Sequence, residues 1–93
     1  MPTVALHLVV TGRVQGVGYR AWTVRVARHQ GLRGWVRNRV DGSVEALLIG
    51  EASDVEAMVD ACRRGPVSAH VVDIMRTPVE DDGSPAFEPK PTA

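Results

Sequence analysis

The stretch Gly34-Trp-Val-Arg-Asn-Arg-Val-Asp-Gly-Ser-Val-Glu-Ala-Leu-Leu-Ile49 decides the fold. Residues 34–39 and 43–49 read as two short strands, rich in branched residues and bounded by turn formers. Asp41-Gly42 between them is a two-residue hairpin signal, because a type I′ turn needs positive φ at both central positions. The centre of the chain is therefore a tight antiparallel hairpin. Gly50 is expected to break its second strand.

Outward from this hairpin, each side carries a helix and then a further strand. On the N-terminal side, Gly31 stops a helix expected from about residue 20 to 30. Tyr19, Trp22, Val26 and Gln30 share one arc of its wheel, flanked by Thr23 and Ala27. Ahead of it lies a glycine-spaced loop, residues 12–19. Ahead of that, residues 4–11 form a strand with Val4, Leu6, Leu8 and Val10 on one face. On the C-terminal side, Ser53-Asp-Val-Glu56 fits a capping box that opens a second helix. Val55, Met58, Val59 and Cys62 give this helix one apolar stripe, and Gly65-Pro66 ends it. Residues 70–76 form a fourth strand. The tail from about residue 77 is partly irregular and holds four of the six prolines, Pro78, Pro85, Pro89 and Pro91. A short fifth strand near residues 86–88 is expected, with disorder beyond it.

The order β-α-β-β-α-β is the split βαβ plan, a ferredoxin-like α+β sandwich with two helices on one face of an antiparallel sheet. The helical connection makes strands 1 and 2 parallel. Strand 3, tied to strand 2 by the hairpin, fits the slot between them. All 93 residues are expected to form a single domain.

Composition narrows the function. The chain carries 11 basic and 11 acidic residues, without the positive excess of a general nucleic-acid binder. The charges are segregated, however. Residues 1–50 hold seven arginines against only Asp41 and Glu45, so this half suits a small anion. No apolar run is long enough for a membrane span. The lone Cys62 cannot form an internal disulfide, which points to a cytoplasmic protein.

Topology then places a candidate site. Strands 1 and 2 are parallel, so Thr11 and Asn38 finish at the same edge, where the first helix also begins. Gly12, Gly16 and Gly18 permit positive φ, so successive backbone N–H groups can curl around an anion. The helix N-terminus adds its dipole, and Arg20 adds a planar guanidinium suited to two phosphate oxygens. On the residues alone, plain turn chemistry and a phosphate or carboxylate site both stay open. The loop is neither a Walker P-loop nor a dinucleotide fingerprint.

Three motifs, Gly12-Arg-Val-Gln-Gly-Val-Gly-Tyr-Arg20, Gly31-Leu-Arg-Gly-Trp-Val-Arg-Asn38 and Asp41-Gly-Ser-Val-Glu45, closely resemble those of the acylphosphatase family. The resemblance runs from about residue 4 to residue 76. It implies the sandwich fold above and the cofactor-free, metal-independent hydrolysis of acyl phosphates to a carboxylate and inorganic phosphate. It makes Arg20 the phosphate-binding arginine and Asn38 the residue that orients the attacking water. Gln15, Gly16, Val17, Gly18 and Tyr19 become the backbone cradle. Inorganic phosphate is then both product and inhibitor, and a monomer is expected. The chain departs from the family in Pro89, which stands where the last strand would continue, and in the bulky Arg39 after Asn38.

Cys62 lies on an apolar stripe and suits a buried hydrophobe better than a nucleophile. His7, His29 and His70 show no metal-ligand spacing. Arg13, Arg37 and Arg39 are solvated charge, or raise the potential at the site's mouth. A non-catalytic phosphate- or phospho-metabolite-binding module is the main alternative. An RNA-binding sheet would need exposed aromatics, and strands 1 and 3 contain none. A carbamoyl-phosphate-handling domain of a larger protein would need further domains for which 93 residues leave no room.

Overall fold

The computed structural model describes residues 2–93. Seven elements follow in order: β1 (Thr3–Arg13), α1 (Tyr19–His29), β2 (Arg33–Asn38), β3 (Val44–Glu51), α2 (Ala52–Arg64), β4 (His70–Val79) and β5 (Phe87–Pro89). They form one five-stranded sheet in the order β4-β1-β3-β2-β5. β3 occupies the slot between β1 and β2 and is antiparallel to both. β5 adds parallel to β2, so the sheet is mixed.

The alternation read in the sequence sorts the faces. Leu6, Leu8 and Val10 of β1, Val36 of β2 and Val44, Ala46 and Leu48 of β3 pack against Val55, Met58, Val59 and Cys62 of α2. α1 contributes Tyr19, Thr23 and Ala27 as its buried residues. This moves the centre of its buried face to residues expected on the flank, while Trp22 and Val26 lie half-buried. Thr23 tolerates complete burial because its hydroxyl donates to the Tyr19 carbonyl one turn back, at 2.8 Å. The helix ends in a Schellman arrangement, with Leu32 N–H on Ala27 O and Gly31 N–H on Arg28 O.

Several expectations need correction. The hairpin is not a two-residue type I′ turn. Gly42 N–H bonds to Arg39 O, Arg39 N–H bonds to Ser43 O, and only Gly42, at φ +94°, has positive φ. This is a three-residue loop in which a type I turn is followed by a left-handed glycine. Gly50 does not break β3, since it pairs with Val4 and the strand continues to Glu51. Its missing side chain makes room for Leu32, whose Cδ2 would lie 2.5 Å from any Cβ there.

The capping box does not form either. α2 begins at Ala52 with Glu51 as N-cap and no side-chain cap, and Glu56 pairs with Arg76 of β4 instead. β4 runs on through Pro78, which the sheet edge tolerates.

The tail beyond β5 is ordered along β2 rather than disordered. Lys90 N–H reaches Val36 O at 2.8 Å, and Ala93 N–H reaches Asn38 O at 3.1 Å. β5 itself is anchored by Phe87, which is fully buried and whose burial is worth about 3 kcal/mol.

The segment joining β4 to β5 crosses the face that the helices leave open. Arg33 pairs with Asp81 and donates to Ser84 O at 2.7 Å, and Trp35 Nε1 donates to Asp82 at 3.2 Å. Beneath it Ala5, Leu47 and Ile49 form a small second cluster.

Candidate active site

β1 and β2, both antiparallel to β3, point the same way, and α1 starts at the edge where they end. A cavity of about 190 Å³ lies there, lined by Val14, Gly16, Gly18, Tyr19, Arg20, Ala21 and Asn38. Arg20 and Asn38, 18 residues apart in sequence, thus share one small pocket.

The loop is held by its own valines. Val14 is fully buried and Val17 packs against the core, while Gly16 and Gly18 stay exposed between them. Gly16 sits at φ +73° and Gly18 at φ +79°, conformations strained for any side-chain-bearing residue. Neither glycine has a heavy atom within 4 Å of where a Cβ would be. Backbone shape, rather than crowding, is what requires glycine at both positions.

The start of α1 is open in a specific way. Gly18 is its N-cap, no side chain caps it, and its first turn holds no acid. The orphan N–H groups of that turn and the positive end of the dipole therefore face the cavity without a protein acceptor. Arg20 is exposed and has no ion pair or side-chain hydrogen bond among the described residues. The half-buried Asn38 likewise keeps its side-chain amide unengaged, whereas its backbone is bonded to the tail.

Of the predicted cradle residues, Gly16, Gly18 and Tyr19 line the cavity, and Gln15 and Val17 do not. The Gln15 side chain has a different task, missed in the sequence. Its Nε2 donates to Arg39 O at 2.7 Å and to Ser43 O at 2.8 Å. It pins the glycine loop to the turn that directly follows Asn38. No local pattern marks this, because the acceptors are backbone carbonyls 24 and 28 residues away.

No carboxylate, imidazole or thiol lines the pocket. Burial, reinforced by the neighbouring Cys62, pushes the Tyr19 phenol well above its ordinary range, and the phenol donates to Cys62 O at 2.7 Å. Burial also pushes the Cys62 thiol up to about 11, although the hydrogen bond with Tyr19 opposes this. Asp41, on the nearby turn, is held low chiefly by the Ser43 hydroxyl and backbone N–H. The pocket is thus a set of N–H donors and one cation, a surface for a small anion.

Arg37 is not at the mouth. It lies on the opposite face of β2 from Val36, paired with Glu45 at 2.7 Å and stacked 4.9 Å from the Trp35 ring centre. His7 bonds the same carboxylate at 2.6 Å. Lys90 also covers Trp35 at 4.9 Å, so that ring already carries two cations. Among the described residues no cluster of three or more His, Cys, Asp or Glu is placed to hold a metal, and no helix is long and apolar enough to cross a membrane.

Comparison with known proteins gives a consistent set of relatives. The acylphosphatase family model matches residues 6–89. The chain is 52% identical over 89 residues to an acylphosphatase of Acidiphilium cryptum, covering 96% of this chain and 98% of that protein. It is 55% identical over 83 residues to an acylphosphatase of Rhodospirillum rubrum, covering 89% and 91%. Among solved structures, the crystal structure of acylphosphatase from Bacillus subtilis superposes with a TM-score of 0.91 at 35% identity, over 94% of this chain and 98% of that one.

Proposed function

The chain belongs to the acylphosphatase family, and on that premise we propose how its pocket hydrolyses the carboxyl–phosphate anhydride of an acyl phosphate. The phosphoryl group sits in the 190 Å³ cavity. Its oxygens accept from the loop amides of Gly16 and Gly18, from the first N–H groups of α1 and from the fork of Arg20. The Asn38 carbonyl accepts a hydrogen bond from water, and its NH₂ donates to a phosphoryl oxygen. Together these aim the water along the line opposite the scissile bond.

The water oxygen bonds to phosphorus as the phosphorus–acyl oxygen bond breaks. The electron pair leaves on the carboxylate, and the water's proton ends on the phosphate. A carboxylate is a good leaving group and needs no general acid, which suits a pocket lined by no carboxylate, imidazole or thiol. Phosphoryl transfer asks mainly for positioning and charge stabilisation. Here Arg20 and the backbone supply the charge, because the lining has no carboxylate, imidazole or thiol to hold a metal. On the same reading inorganic phosphate is product and competitive inhibitor, and the protein acts as a cytoplasmic monomer.

One observation carries this proposal: among the described residues, an unpaired arginine, an uncapped helix start and an unengaged asparagine amide meet in one cavity of about 190 Å³. The test is hydrolysis of benzoyl phosphate in the presence of chelator. Turnover with competitive inhibition by inorganic phosphate is expected. A rate equal to that in buffer, or one restored only by added metal, would overturn it.

A further inference from the structure

The phosphate pocket does not end at Arg20. Arg20 and Ala21 also line a wider groove of about 770 Å³ along α1, which continues past Val24 and Arg25 to Arg28 and closes against Glu88 and Pro89 of the β5 region. Residues 20, 21, 24, 25 and 28 form one helical stripe. An acyl phosphate seated by its phosphoryl group therefore has a channel for its organic part, continuous with the site.

The groove has a graded chemistry. Its near end is apolar, formed by Ala21 and Val24 with Pro89 opposite. Of its two outer arginines, Arg28 is engaged, donating to Phe87 O at 2.9 Å and to Glu88 at 3.0 Å. That pair also uses the groove's one carboxylate. Arg25 has no ion pair or side-chain hydrogen bond among the described residues. Its Cα lies five residues, about 7.5 Å along the axis, beyond that of Arg20.

We infer that this groove holds the acyl chain and that Arg25 is a specificity-determining residue that binds a second anionic group on it, a carboxylate or phosphate. Resting on the hydrolytic reading above, this deepens it with a residue that selects among acyl phosphates, Arg25 favouring those whose acyl chain carries a second anion a few bonds from the reacting carbonyl. The Arg25 contact is far from the bonds that change. It holds ground state and transition state alike, and so acts on KM rather than on kcat.

The experiment compares acetyl phosphate, which has no second charge, with the monophosphoryl anhydride of succinic acid, which has one. The proteins are wild type, Arg25→Gln, and Arg63→Gln as an equal loss of charge from α2. Arg25→Gln is expected to raise KM for the succinyl substrate about three- to tenfold, the range for one solvated charged contact. Its kcat, and both constants for acetyl phosphate, should stay within about twofold, and Arg63→Gln should change neither substrate. Equal effects of Arg25→Gln on the two substrates, no effect on either, or the same discrimination from Arg63→Gln overturns the inference and leaves hydrolysis standing. Failure of wild type to hydrolyse either substrate overturns the hydrolytic reading, and this inference with it.

Discussion

Replacing Arg20 with Gln separates stability from activity, and the structure sets the sign of each. Arg20 is the second residue of α1, exposed and without an ion pair or side-chain hydrogen bond among the described residues. Its replacement removes no fold contact, and Gln has nearly the same helix propensity. A cation in the first turn opposes the helix dipole by about 0.3–1 kcal/mol. The free variant is therefore expected to be more stable by that amount, a rise in Tm of about 1–8 °C for a domain of this size. Activity moves the other way. A guanidinium that makes two charged hydrogen bonds to the phosphoryl group contributes about 3–6 kcal/mol, or about 10²–10⁴ in kcat/KM. Benzoyl phosphate turnover reads the second effect and thermal melts read the first. Melts with inorganic phosphate link the two. At ten times its Kd, phosphate stabilises the wild type by about 1.4 kcal/mol, and it should leave the variant's Tm unmoved. A variant that melts lower than wild type, keeps activity within about fivefold, or is still stabilised by phosphate would refute the assignment of Arg20 as a cation held for the ligand.

Asn38→Ala should lower kcat about 10²-fold, the scale of one oriented transition-state hydrogen bond, with Tm nearly unchanged because its side chain is unengaged; steady-state kinetics and melts check both. Gln15→Ala removes two partly buried hydrogen bonds and should destabilise by about 1–3 kcal/mol while lowering kcat, since it frees the glycine loop from the turn beside Asn38; urea unfolding and kinetics read this. Burial would raise the Glu45 carboxyl, but hydrogen bonds from Arg37 and His7 outweigh it and hold the group below its ordinary range. A depressed folded pKa stabilises above the unfolded value near 4.3 and is lost as pH falls below it. Glu45→Gln should therefore destabilise at pH 7, and the penalty should shrink as pH falls through the depressed folded value, as measured by denaturant unfolding across an acid pH series.

The strands and both helices were legible because alternation and the 3.6-residue period report burial directly, as in Leu6-Leu8-Val10 and Val55-Met58-Val59-Cys62. What was not legible was decided by partners far away in sequence. Asp-Gly marks a tight hairpin but does not distinguish a type I′ turn from a type I turn closed by a left-handed glycine, and here Val40 joins the loop. Gly50 reads as a breaker until Leu32 fills the space of its missing side chain. Glu56, 20 residues from Arg76, pairs across to β4 rather than closing a capping box. The proline-rich tail looked unable to pair, yet Lys90 and Ala93 bond to β2 through N–H groups that Pro89 and Pro91 beside them do not remove. In the site, the meeting of Arg20 with Asn38 followed from strand direction alone. The Gln15 side chain followed from nothing in the sequence.

That contrast reflects how the site divides its work. Residues that fix the pocket's shape have their interactions satisfied within the fold: Val14 in the core, Gln15 on two carbonyls, Tyr19 on Cys62 O. The residues assigned to the substrate, Arg20 and Asn38, have side chains left without partners. An unpaired cation at the positive end of a helix dipole is a local cost with no structural return, and it becomes favourable only when an anion arrives. The same reasoning separates Arg25 from Arg28 one turn further on, since Arg28 is held by Phe87 O and Glu88 while Arg25 has no side-chain partner among the described residues. On the proposed reading, the lack of an intramolecular partner distinguishes, along this helix, the arginines kept for a ligand from the one kept for the fold.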